Sequence, residues 1–151
     1  MSRPSLRLVV LVVLVAVAVA AGAAPKRVVV PGLGRLPAFS HATIVGDVVF
    51  VAGTLGTRAD PPGLVPGGVG AETTQTIRNI ERILEEVGAT LEDVAKCTVY
   101  LTDMDDFQAM NEAWMPYFGD HPPARAAVAV AELALGAKVE IECIAALPAT
   151  D

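Results

Sequence analysis

The sequence predicts a single α+β domain of two layers, a sheet with its helices on one face. Three observations carry this expectation. The chain has 151 residues, the length of one domain. Two segments have apolar residues at helical spacing, and the others alternate or run apolar as strands do. The elements follow the order three strands, helix, strand, helix, two strands, with no internal repeat or linker between them.

Each element has its own local cause. "VVVPG" (28–32) is short and β-branched and is stopped by Pro and Gly, which reads as an edge strand. "ATIVGDVVFVAG" (42–53) is two strand-like runs around Gly46-Asp47, a hairpin signal. "TRADPPGLVPGG" (57–68) is rich in Pro and Gly and reads as an irregular loop. From Glu72 to Gly88 the period changes: Ile77, Ile80, Ile83, Leu84 and Val87 fall on one helical face, and charged residues fall on the other. Gly88 ends that helix.

"VAKCTVYLT" (94–102) alternates Cys97, Val99 and Leu101 with polar neighbours, as a half-buried strand does. Asp103, Asp105 and Asp106 favour a helix start, and Phe107, Met110, Trp114 and Phe118 form the stripe of that second helix. "RAAVAVAEL" is a further strand. "AKVEIECIAAL" (137–147) is the last, with Val139, Ile141, Cys143 and Ala145 on one face and Glu140, Glu142 and Ile144 on the other. A sheet face not covered by helices would therefore carry apolar side chains beside its charges, as surfaces that meet a partner subunit do.

The amino terminus is a separate matter. Arg3 and Arg7 precede an uncharged run from Leu8 to Ala24, with a small-residue end at Ala21-Gly22-Ala23. This pattern is that of a secretory signal peptide over residues 1–23, leaving a domain of 24–151 that would be exported, periplasmic or secreted, with no membrane association after cleavage. An uncleaved anchor is the alternative, since ~17 apolar residues is the short limit for a spanning helix. Without residues 1–23 the chain has 9 basic and 17 acidic side chains, net −8. Such a surface repels phosphate backbones, so no nucleic-acid partner is expected. Cys97 and Cys143 each sit in an apolar strand-like run, as one disulfide or as two buried thiols; the sequence leaves both open. His41 and His121 read as surface or loop residues rather than metal ligands.

Three polar residues are out of place. Arg125, in "HPPARAAVAV", is the one charge from Pro122 to Ala131. A guanidinium needs an anion or water, and its commoner partner is a surface carboxylate. Small alanines at 124, 126 and 127 leave room instead for a carboxylate ligand gripped by two parallel hydrogen bonds. Asn111 points along the apolar stripe of its helix, where its amide needs partners, either a neighbouring loop or a ligand. Glu140 and Glu142 share one strand face; a carboxylate in a partly apolar setting has a raised pKa and serves as acid or base, and the pattern does not separate the two.

The segments "LPAFSHATIVGDVVFVAGTLG", "TQTIRNIERILEEVGATLEDVAKCTVYLTDMDDFQAMNEAW" and "PPARAAVAVAELALGAKVEIECIAAL" resemble the RidA (YjgF-type) family of reactive-intermediate deaminases, over about Leu36 to Leu147. The resemblance implies a chorismate-mutase-like fold, a six-stranded mixed sheet with two helices on one face, assembled as a homotrimer with clefts between subunits. It implies hydrolysis of small 2-imino acids to 2-keto acids and ammonia, with no cofactor and no metal. It also implies roles. Arg125 would hold the substrate carboxylate, and Asn111 and Gly53 would line the cleft. Glu140, with a backbone carbonyl near Ala127, would position the attacking water. Phe39 stands where many relatives have tyrosine, Ala52 where a serine or threonine often precedes the glycine, and Ala127 where some have cysteine. The lost hydroxyls at Phe39 and Ala52 favour the alternative, a non-catalytic trimer that captures small carboxylates or clients.

Overall fold

The computed structural model describes residues 24–149; the expected leader at 1–23 lies outside the described residues. Eight strands and two helices follow in chain order: β1 (Lys26–Val28), β2 (Ala42–Val45), β3 (Val48–Leu55), β4 (Thr57–Arg58), β5 (Gly63–Leu64), α1 (Gly68–Glu85), β6 (Val94–Leu101), α2 (Phe107–Phe118), β7 (Ala124–Ala129) and β8 (Val139–Ala146). Six of the strands form one sheet in the order β1-β2-β3-β8-β6-β7. All its pairs are antiparallel except β6 with β7, which α2 connects as a βαβ crossover. The sheet is therefore mixed and six-stranded, with two helices, as the family resemblance implies. Among the described residues no helix is long and apolar enough to cross a membrane.

Both helices lie on the sheet face that carries the alternating apolar residues. Ile77, Ile80, Ile83 and Leu84 of α1 are buried against Val49, Val51, Val99 and Ile141 of the sheet. Met110, Trp114 and Phe118 bring the α2 stripe into the same core. Ile80 is fully buried, so Ile80→Ala leaves a cavity that the surrounding strands cannot fill. It is expected to cost about 2–5 kcal/mol of stability, read as a lowered urea midpoint at unchanged slope.

The opposite face is bare. Phe50, Ile144 and Lys96 are in register across β3, β8 and β6, and Tyr100 is in register with Glu140 and Val128. Phe50 and Val128 are exposed there, side by side with charged groups, as the alternation predicts.

Several expectations are corrected in detail. The first strand ends at Val28 rather than running over 28–32, because the Val30 amide donates to His41 Nδ1 (2.9 Å) in place of a strand partner. His41 is accordingly a buried loop residue and not a surface one. The loop at 57–68 contains a short hairpin, β4 with β5, on either side of Asp60-Pro61-Pro62. Helix α1 starts at Gly68, earlier than Glu72. Its added turn buries Val69, and the Glu72 carboxylate accepts from the Lys138 amide (2.7 Å) just before β8. Of the two states the sequence leaves open for Cys97 and Cys143, the disulfide is the one formed, between buried residues opposite one another on β6 and β8.

Candidate active site

The singled-out residues fall into two groups on the two sides of the sheet. Arg125 is in register with Cys97, so it belongs to the helix-covered face at the edge strand β7. Its Nη2 donates to Asn111 Oδ1 on α2 at 2.6 Å, and Nη1 lies 3.9 Å from Met110 Sδ. The guanidinium carbon sits 4.8 Å from the Trp114 ring centre and 5.9 Å from that of Phe107. Among the described residues no carboxylate pairs with it; the one ion pair there joins Lys138 to Asp106. Half-burial lowers its proton affinity, yet an arginine stays ionised. The result is a cation held by an amide oxygen and two ring faces, its charge uncompensated. Ala127 lies two residues further along β7, opposite Val99, and packs on the core.

Glu140 is in register with Tyr100 and Leu55 and lies on the bare face. Between Val51 and Thr54 strand β3 has a bulge, where Ala52 and Gly53 together oppose Glu142. The bulge lets the Glu140 carboxylate rest on Gly53, where a β-carbon would overlap its Oε1. Burial, and then the negative charge of Glu142, push the Glu140 carboxyl above the usual carboxylate range. Glu142 instead accepts from the Tyr100 hydroxyl at 3.0 Å. This separates two glutamates that the sequence pattern leaves equivalent: Glu142 is engaged, and Glu140 makes no side-chain hydrogen bond among the described residues.

Gly53 and Ala52 also line a cleft of about 640 Å³ with Phe39, His41, Asn79 and Leu135. Phe39 meets His41 edge-on, ring centres 6.5 Å apart. Sequence reasoning missed Asn79, although Thr76, Ile80 and Ile83 share its helical face. Its amide donates to the Leu55 and Thr57 carbonyls (3.0 and 2.9 Å) and holds the end of β3. Leu135 was missed as well, since one leucine in a loop gives no signal. Within one chain, then, Gly53 and Phe39 line one cleft, the Glu140 carboxylate rests on Gly53 from the bare face, and Arg125 with Asn111 stands apart at the β7 edge. Among the described residues no cluster of three or more His, Cys, Asp or Glu could hold a metal ion.

Fold and site together define a two-layer α+β protein with an uncompensated guanidinium at one edge and, on its bare face, a carboxyl held above the usual carboxylate range. Residues 33–147 match the family model described as "Endoribonuclease L-PSP". A RutC family protein of Pyrococcus abyssi is 45% identical over 107 residues, covering 71% of this chain and 84% of its own. The rat protein named 2-iminobutanoate/2-iminopropanoate deaminase is 42% identical over 108 residues, 72% of this chain and 79% of its own. The crystal structure of RidA from an Antarctic Psychrobacter superposes with a TM-score of 0.71 at 38% identity, covering 76% of this chain and 92% of that one. The chain belongs to the RidA/YjgF family.

Proposed function

We propose that the protein hydrolyses 2-imino acids to 2-keto acids and ammonium, in a site completed by a second copy of the chain. The observation that carries this is the uncompensated guanidinium of Arg125, oriented by Asn111 and without a carboxylate among the described residues. The relatives named as imine deaminases support the same chemistry.

The reaction needs a fixed electrophile and one group that exchanges a proton. Arg125 binds the substrate carboxylate with its planar fork, which holds the adjacent iminium carbon in one place. Glu140 takes a proton from water as the water oxygen bonds to that carbon, and passes the proton to nitrogen. The tetrahedral adduct then breaks its C–N bond. Ammonia leaves with the hydroxyl proton as ammonium, and the carbonyl of the keto acid remains.

Arg125 and Glu140 lie on opposite faces of one sheet, so one chain does not hold both to one substrate. The bare face, with exposed Phe50 and Val128, offers a surface for another copy. In a homotrimer the Arg125 edge of each subunit would face the bare-face Glu140 of the next, a head-to-tail contact that closes on itself.

The direct test uses the domain 24–151 and 2-iminopropanoate made in situ by an amino-acid oxidase. Faster loss of the imine than in buffer supports the reading. Keto-acid binding with no acceleration selects the non-catalytic trimer instead, which the absent hydroxyls at Phe39 and Ala52 favour. The raised Glu140 carboxyl gives a pH signature. The base must be ionised, so activity is lost as pH falls through a value above the usual carboxylate range. Glu142→Gln removes a negative neighbour, lowers that value and is expected to move the acid limb of the rate profile to lower pH. An unmoved limb would assign the titration to another group.

Export is a part of this proposal that rests on residues 1–23 alone, their two arginines, apolar run and small-residue end. Amino-terminal sequencing of the protein made in its own cells tests it. Cleavage after Ala23, at the small-residue end Ala21-Gly22-Ala23, is the expected result.

A further inference from the structure

In a single chain, the cleft lined by Gly53, on which the Glu140 carboxylate rests, is far larger than the smallest imino acid requires. Its 640 Å³ is in the range of pockets that hold drug-sized ligands, about 300–1,000 Å³. 2-Iminopropanoate would present only a methyl group to it.

What the cleft offers a ligand is apolar, for a reason visible in its hydrogen bonds. Most of the polar side chains that line it are spent on the backbone. Arg35 donates to the Leu36 and Phe39 carbonyls, Asn79 to those of Leu55 and Thr57, and Thr54 to that of Ala52. His41 Nδ1 accepts from Val30, while its buried Nε2 has no partner among the described residues. Leu33, Leu36, Phe39, Ala52 and Leu135 are left to form the contact surface.

Leu135 is the most telling of these. It is 72% exposed and has φ 61°, the one non-glycine residue at positive φ among the described residues. A branched side chain in that conformation is disfavoured, and an exposed leucine there gains nothing from the core. Its neighbour Gly136 also has a positive φ, 72°. Leu135 stands five residues before Glu140 on the same segment, so this apolar wall is built into the chain that carries the base.

We infer that this cleft selects 2-imino acids with bulky apolar side chains, such as those formed by oxidation of leucine, over the alanine-derived imine, with Leu135 as a specificity residue. The inference rests on the deaminase reading and adds the substrate class. The carboxylate is held by Arg125, and the side chain lies along Leu36, Phe39 and Leu135, where each added methylene gains from burial.

The test compares kcat/KM for the imines generated from leucine and from alanine, in the wild-type domain, in Leu135→Gly and in Leu36→Ser. Glycine suits the backbone at 135, so that variant is expected to fold with an unchanged or higher Tm. The leucine-derived imine should be favoured about tenfold or more, the scale by which apolar pockets discriminate side chains. That ratio should fall severalfold in both variants. Equal rates, or a preference for the alanine-derived imine, overturn the selectivity and leave the deaminase reading standing. A leucine preference that neither variant lowers overturns the assignment of this wall. Failure to hydrolyse either imine overturns the deaminase reading, and this inference with it.

Discussion

Arg125→Ala is expected to reduce imine hydrolysis by about hundredfold or more in kcat/KM while leaving the fold intact. The side chain has no buried carboxylate to abandon, so its removal orphans only the Asn111 oxygen and two ring faces. The substrate loses much more. Each charge-assisted hydrogen bond to a carboxylate contributes about 1.5–3 kcal/mol, and the fork makes two of them. Arg125→Lys keeps the charge but not the planar geometry, so it should recover only part of the rate. A variant within about twofold of wild type would show that substrate is anchored elsewhere. The subunit arrangement adds a sharper form of the experiment. Arg125→Ala and Glu140→Gln chains, each inactive alone, should regain activity when co-assembled. In random head-to-tail trimers about one site in four then receives both intact groups. No recovery on co-assembly would place both groups in one subunit's site.

Gly53→Ala is expected to lower kcat by about a hundredfold with little change in Tm. The reason is local and steric. A β-carbon there would overlap the Glu140 carboxylate, which is the movable end of a side chain and not backbone. The protein therefore accommodates the methyl by turning Glu140 away, and stability is spared. Catalysis is not spared, because a displacement of about 1 Å in a reacting group costs about 10²-fold. A double-mutant cycle isolates the cause: in a Glu140→Gln background the alanine should cost almost nothing further. Full additivity of the two changes would show that Gly53 acts by another route, such as direct contact with substrate.

The fold was largely legible because its two periods are clean. Ile77, Ile80, Ile83 and Leu84 at helical spacing, and Cys97, Val99 and Leu101 at alternation, become the buried faces they predict. Legibility failed where a side chain took over the role of a strand partner or a cap. His41 ends β1 by accepting the Val30 amide, and Glu72 joins the first turn of α1 to the start of β8. Such bonds join residues 11 and 66 positions apart, and no local pattern reports them.

The site divides the same way. Arg125 and Asn111 stand out in the sequence because each sets a polar group in an apolar run, and burial of such a group demands a partner whatever the fold. Tertiary structure decided what depends on distance across the sheet. It engaged Glu142 with Tyr100 and left Glu140 over Gly53. It set Cys97 opposite Cys143, and it put Arg125 and Glu140 on opposite faces. Periodicity tells which face of its own strand a residue takes, while register, bulge and crossover determine which residues from distant segments share that face.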